Sequence, residues 1–400
     1  MPRSVYPIFA VFLVLLLFAA STPAAGQNSV IESLTGPVTP GEISSVKSAI
    51  SSLVPGDSNH HNNYAYGNSG HAMEASGEMF DLTKDRFFLD KLILFCDQVV
   101  LIRNTNRVMW TGHIDPVWPN NTNNIWGCEQ GDVAGHLAYC AQLIAQNPAL
   151  WDMPVGSGDT NGFGATYKLR AMKYLAVVDE TMELFYQHDF IHTNEIMQTP
   201  PSPTWPDPHS AGDMVPWNQQ GMICSALVRG ADAHLLFRDG STNIIRYRKT
   251  ATASIERFQA QCENFKYEKN GKTVCKWSYT GNTFKPDEKI RYPEDTAHGG
   301  YDISAFWRAR HWLPGSVTEA NGRMLADTLM EVIKSGDKFE SRVDGAGSLK
   351  PGMKDSWTYL TEFRPDVFAA TTKTGSHDYA EAALKLWIKN ALYKGWPQVQ

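Results

Sequence analysis

Apolar residues recur three or four positions apart through most of the chain beyond residue 69, the spacing that gathers them on one face of a helix. In Asp85 to Arg103 the stripe is Phe88, Leu92, Phe95, Val99 and Ile102, and Ser69 to Phe80 ahead of it predicts a shorter partner joined by a tight turn. The same spacing predicts helices over Gln130 to Gln146, Gly164 to His188, Gln219 to Phe237, Asn243 to Phe265, Tyr301 to Arg310, Gly322 to Lys334 and His377 to Tyr393. No convincing run alternates apolar and polar residues as a half-buried strand would. A layout repeats: a polar loop rich in Gly, Asn, Trp or His leads into a helix carrying small residues, and a longer amphipathic helix follows. Successive helical hairpins of this kind predict an all-α fold, an α/α toroid, complete or incomplete, with small-residue inner helices crowded around an axis. Loops feeding the inner helices then converge on one mouth of the barrel.

The first residues follow a different pattern. Arg3, the apolar run Ile8 to Ala20 and the small residues Ser21, Thr22, Ala24 and Ala25 read as a secretory signal peptide over residues 1–26. The run is shorter than the roughly 20 residues a membrane-spanning helix needs. The remainder, 27–400, is then expected to be one exported, extracellular domain, with Asn120-Asn121-Thr122 as a glycosylation sequon in a polar loop. Export changes the reading of the cysteines, because pairs form in an oxidising compartment. Cys262 and Cys275 flank a polar segment containing Asn270-Gly271 and are expected to close it as a disulfide, whereas Cys96, Cys140 and Cys224 sit in apolar helical patterns as buried thiols. The balance of 42 acidic against 36 basic residues, with no Lys/Arg run, argues against nucleic acid or an anionic membrane as partner. A monomer is expected.

The densest chemistry lies in Arg291-Tyr292-Pro293-Glu294-Asp295-Thr296-Ala297-His298-Gly299-Gly300-Tyr301-Asp302. Pro293 to Thr296 have the composition of a helix start, and a helix running on through Trp307 would put His298, Tyr301 and Asp302 on one face near its mouth. Each glycine costs a helix interior roughly 0.5–1 kcal/mol, so Gly299 and Gly300 imply that a ligand or another part of the chain comes close. Taken singly, His298 could merely cap the helix and Tyr301 could be a core aromatic.

Other polar loops precede the remaining inner helices. They carry His60, His61, Asn62 and Asn63; Trp118 and Trp126 with Glu129; and Trp217, Asn218 and Gln219. Aromatic faces in such loops suit stacking on sugar rings, although abundant Trp in a helical protein is more often core. Adjacent His60 and His61 would point in different directions, and no HExxH or EF-hand spacing occurs, so neither a metal nor a cofactor is expected. A nucleophilic-serine elbow of the G-x-S-x-G type is also missing.

The hairpin chain, the signal sequence, the His-Asn-Asn and Trp-Asn-Gln-Gln loops and above all residues 294–302 resemble the secreted fungal polysaccharide lyases built on α/α toroids. Family 38, the glucuronan and alginate lyases, is the nearest by name. The resemblance implies one catalytic α/α barrel that cleaves β-1,4-linked uronic acid polymers by β-elimination, with an acidic polysaccharide as its partner. Elimination removes the proton at C5, beside a carboxylate, and expels the 4-linked sugar. It requires neutralisation of the carboxylate, a base and an acid. Arg291, Asn62, Asn63 and Asn218 could neutralise; His298 or Tyr301 could act as base; Tyr292, Tyr301 or Glu129 could protonate the leaving oxygen. His61, Trp118, Trp126, Trp217 and Gln219 complete the expected substrate contacts. Two readings compete: an inverting glycoside hydrolase using a pair among Glu129, Asp132, Glu294 and Asp295, and a non-catalytic carbohydrate-binding protein relying on loop aromatics.

Overall fold

Most of the helices form where the apolar spacing puts them, and side-chain caps fix the starts of several. The computed structural model describes residues 28–56, 69–118, 130–200, 212–281, 290 and 292–397. Helix α1 (Pro40–Ser51) opens on a reciprocal cap: the Thr39 hydroxyl accepts from the Glu42 N–H at 3.1 Å while the Glu42 carboxylate accepts from the Thr39 N–H at 2.9 Å. Helices α2 (Ser69–Thr83) and α3 (Arg86–Leu101) are the expected hairpin, with the Asp85 side chain accepting from Phe87 N–H. Helices α4 (Gln130–Ala145), α5 (Tyr167–Gln187), α6 (Trp217–Phe237) and α7 (Asn243–Asn264) follow. Beyond them come α8 (Gly299–Trp312), α9 (Glu319–Thr328) with a π turn over Leu329–Ile333, a 3-10 helix over Asp355–Glu362, α10 (Asp366–Thr371) and α11 (Tyr379–Lys394). The fold is all-α, as the periodicity predicts.

Short strands clasp the loops: β1 (Ser29–Ile31), β2 (Tyr267–Lys269), β3 (Lys272–Val274), β4 (Lys334–Ser335), β5 (Lys338–Glu340), β6 (Leu349–Lys350) and β7 (Gly375–His377). Strand β1 pairs antiparallel with β7, β2 with β3, and β4-β5-β6 form a small sheet. These are too short for an alternating pattern to register in the sequence.

The packing of the inner helices returns on itself. Helix α2 packs on α4, α4 on α6, α6 on α8, α8 on the 3-10 helix, that helix on α11, and α11 on α2. Helices α3, α5 and α7 cover α2, α4 and α6 from outside. Small residues permit the close approach: a Cβ on Gly131 of α4 would lie 2.6 Å from the backbone nitrogen of Ile223 in α6. Every residue of α4 is buried except Asp132. One contiguous apolar cluster runs from Ile31 to Ile388. Among the described residues no helix is long and apolar enough to cross a membrane.

Several expectations need correction. Trp118 and Trp217, read as stacking faces in polar loops, are buried: the Trp118 indole donates to Val99 O at 2.8 Å and the Trp217 indole to Gln261 Oε1 at 2.9 Å. An indole whose N–H finds an internal acceptor gains more by burying its large apolar surface than by facing water. Asn218, in the first turn of α6, is buried with them. Cys262 and Cys275 stand side by side as buried thiols rather than as the expected disulfide. The β2–β3 hairpin, with Asn270 and Gly271 at positive φ in its turn, brings them together without that bond. Cys96, Cys140 and Cys224 are buried thiols, as read. The signal segment, the sequon, Cys128 and the residues Arg291, Glu129, His61, Asn62, Asn63 and Trp126 lie outside the described residues.

Candidate active site

The inner helices bring charged side chains to the axis of the ring. Glu74 of α2 accepts from both terminal nitrogens of Arg229 in α6, at 2.6 and 3.0 Å, and from Arg308 of α8 at 3.4 Å. It also bonds Nδ1 of His136 in α4 at 3.0 Å, so one carboxylate ties together α2, α4, α6 and α8. Burial pushes the Glu74 carboxyl up, but the charges of Arg229 and Arg308 outweigh it and hold the group well below the usual carboxylate range. His136 Nε2 faces Asp132 at 3.6 Å. Burial alone would lower the His136 imidazolium; the charge of Asp132 and the bonds to Asp132 and Glu74 prevail and lift it to about 9. His136 is therefore a cation at neutral pH. Two carboxylates, Glu74 and Asp132, then face three cations, His136, Arg229 and Arg308, which leaves positive charge in excess at the floor.

One turn toward the start of α2 from Glu74, His71 reaches solvent while being walled in by the ring. That desolvation, with the charge of Lys354, keeps its imidazole below the ordinary value, against the pull of Asp378 and Asp132, so it is a neutral base at neutral pH. Lys354 also bears on Asp132 and Asp355. Its ammonium lies 3.2 Å from the centroid of the Tyr301 ring. The glycine pair explains how it gets there: a Cβ on Gly300 would fall 2.8 Å from Cδ of Lys354 and 2.7 Å from Oγ of Ser356. What comes close to the glycines is the start of the 3-10 helix. Burial also lifts the Asp355 carboxyl, to about 6.

The 292–302 segment supplies the rim. Helix α8 starts at Gly299, later than its acidic residues suggest, because Asp295 caps from outside: its Oδ1 accepts from the N–H groups of Ala297 and His298 at 2.8 and 2.9 Å. Its Oδ2 lies 2.5 Å from His298 Nδ1, which turns Nε2 away from the carboxylate. The Tyr279 ring meets the imidazole edge-on at 5.5 Å. Asp302 does not share this open face. It is buried and accepts from the Trp277 indole at 2.9 Å, and burial raises its carboxyl to about 7. Glu294 is fully buried; burial and the negative charges of Asp302 and Asp295 keep its carboxyl well above the usual range. Glu294, Asp295 and His298 each offer one ligand atom within 4.8 Å of the others, a grouping that a hard cation would need further oxygens to complete.

Of the expected site residues, His298 and Tyr301 stand at the start of α8, Tyr301 half-buried toward Lys354 and His298 half-exposed at the rim. Tyr292 is 75% exposed, with its carbonyl accepting from Tyr279 N–H, so its phenol points to open solvent rather than into an enclosed cleft. Gln219 is half-buried in the first turn of α6. Sequence reading missed His71, Glu74, His136, Arg229, Arg308 and Lys354. A signal was there: charged and polar residues at helical spacing within small-residue helices, namely His71, Glu74 and Glu78, then Asp132 and His136, then Ser304 and Arg308.

No protein-family model matches this chain, and no curated protein matches it. A solved structure of a polysaccharide lyase aligns with 88% of this chain and 84% of its own, at 11% identity and a TM-score of 0.42. Fold and site together define an all-α protein whose inner helices converge on a charged cluster with a tyrosine, a lysine and two histidines at its mouth.

Proposed function

We propose that this chain is a secreted polysaccharide lyase that cleaves β-1,4-linked uronic acid polymers, glucuronan or alginate, by β-elimination. The observation that carries the reading is Lys354 over the Tyr301 ring, beside neutral His71 and above a floor with surplus positive charge. In this reading Lys354 neutralises the substrate carboxylate, supported from below by His136 and Arg308. His71 takes the C5 proton; the C–H electron pair becomes the C4=C5 double bond, and the C4–O bond breaks. Tyr301 delivers a proton to the departing oxygen. His298, oriented by Asp295, holds the sugar ring at the rim or takes part in the proton transfer from there.

The test is the ultraviolet absorbance of the unsaturated product as the purified protein acts on glucuronan and polymannuronate. Tyr301→Phe and His71→Ala are each expected to lose on the order of 10²-fold or more in turnover with the fold intact, and Lys354→Met is expected to lose as much. Near-parental turnover in folded Tyr301→Phe would overturn the assignment. A second reading, an inverting hydrolase, is favoured by Asp355, whose carboxyl stays protonated up to about pH 6 in a cleft that also holds ionised Asp132. It would release reducing ends without an unsaturated product.

A further inference from the structure

A cavity lies at the end of the ring away from Tyr301 and Lys354. Its volume is about 330 Å³, within the range of small-molecule sites, and it lies where the inner helices finish. His311 on its wall is ten residues beyond Tyr301 on α8, about 15 Å along the helix axis. The knot of Glu74, Arg229 and Arg308 stands between the two ends.

Three aromatic side chains on the wall come from three elements: Trp307 of α8, Tyr359 of the 3-10 helix and Trp387 of α11. Trp307 and Tyr359 are stacked at 4.4 Å, and Trp387 meets Trp307 edge-on at 5.4 Å. The polar part of the wall includes Gln142, Arg229 and His311, each almost wholly buried. Each also leaves one polar atom without a partner among the described residues: Gln142 Oε1, Arg229 Nε and His311 Nδ1. The Gln142 amide is oriented by its donation to Asp232 at 2.8 Å, which fixes the remaining oxygen as an acceptor. A buried polar atom without a partner is destabilising until a ligand or water satisfies it.

The charges on this wall are matched. Arg229 is held bidentate by Glu74, and Asp81 bonds Lys84 at 2.7 Å and accepts from the Trp387 indole at 2.8 Å. Burial and the negative charge of Glu74 hold the neighbouring Glu78 carboxyl well above the usual carboxylate range, and Glu78 adds no cation to the wall. A carboxylate sugar would therefore find no spare cation here, in contrast to the mouth with Lys354. A ring with hydroxyl groups and an apolar face fits both halves of the wall.

We propose that this cavity is a binding site for one neutral sugar ring, separate from the cleft at the mouth. The test is saturation-transfer NMR on the whole protein with D-mannose, D-glucose and D-glucuronate as probes. The expected result is saturable, millimolar binding of a neutral sugar, weakened about tenfold in Trp387→Ala and in Gln142→Leu and unchanged in Lys354→Met, with no comparable binding of glucuronate at the cavity. Gln142→Leu keeps the proposal testable if Trp387→Ala fails to fold. The absence of saturable binding of either neutral sugar, binding unaltered in a folded cavity variant, or glucuronate signals abolished by the cavity variants rather than by Lys354→Met would each overturn it. Because the readout is binding, the outcome stands apart from whether the mouth performs elimination.

Discussion

His136 carries a charge that its burial opposes, and that makes it the residue with the clearest pH signature. Its folded-state value of about 9 exceeds the unfolded value of about 6.5, so the folded chain holds a proton that the unfolded chain has released between those limits. The stabilisation is fully present below about pH 6.5 and is lost as pH rises through 9. Asp302, raised to about 7, acts with the same sign: its contribution is present below the unfolded carboxylate range and lost as pH rises through 7. Thermal stability should therefore fall between pH 6.5 and pH 9, by roughly 3 kcal/mol at most from His136. His136→Gln should flatten that slope, and a parental melting temperature constant across the window would contradict the cluster's charge state. None of this was legible residue by residue. In the sequence His136 and Asp132 look like an ordinary i, i+4 pair on a helix, and Glu74 like a solvated charge. Only the neighbouring helices turn them inward.

Elements were far more legible than residues, since a buried helix stripe is a local property. The apolar spacing located α2 to α7 within a few residues because each carries its buried apolar positions within its own stretch of sequence. It missed α1, whose buried set is short, although Thr39, Pro40 and Glu42 spell a helix start. It also missed the 3-10 helix, where three residues per turn and Thr-rich composition give no 3.6-residue rhythm. Lys354 immediately precedes that helix, so the omission cost the site its central cation. Gly300→Ala tests the arrangement at this scale. The substitution favours helix α8 by roughly 0.5–1 kcal/mol, while the new Cβ would press on Lys354 Cδ and Ser356 Oγ at under 3 Å. Both neighbours are side-chain atoms that can move, so stability should stay within about 1 kcal/mol of the parent. Turnover should nonetheless fall about tenfold or more, because the stem of Lys354 is displaced from Tyr301. Measuring melting temperature and turnover on one preparation separates the two effects, and unchanged turnover would remove Lys354 from the mechanism.

At the scale of the whole molecule, the ring is closed by a contact between its two ends. Lys389 of α11 donates to both oxygens of Glu42 in α1, each at 2.8 Å, across 347 residues of sequence. The side chains are 1% and 0% exposed. Beside this pair β1 and β7 bind the same two ends. No spacing rule could have paired them, because their proximity follows from the last inner helix returning to the first. Burial pushes the Glu42 carboxyl up, and the bond from Lys389 with the N–H groups of Thr39 and Glu32 more than reverses it. The depressed value means that the pair's contribution is present above the usual carboxylate range and lost as pH falls through the folded value. Removing one partner strands a buried charge, so Lys389→Met should cost roughly 3–5 kcal/mol in denaturant unfolding. Glu42→Gln with Lys389→Met should recover a large part of that loss, since Gln removes the stranded charge while its amide oxygen can still cap the Thr39 N–H. A loss within about 1 kcal/mol for Lys389→Met, or a double variant as unstable as the single losses added together, would show that the seam is held by β1–β7 and apolar packing alone.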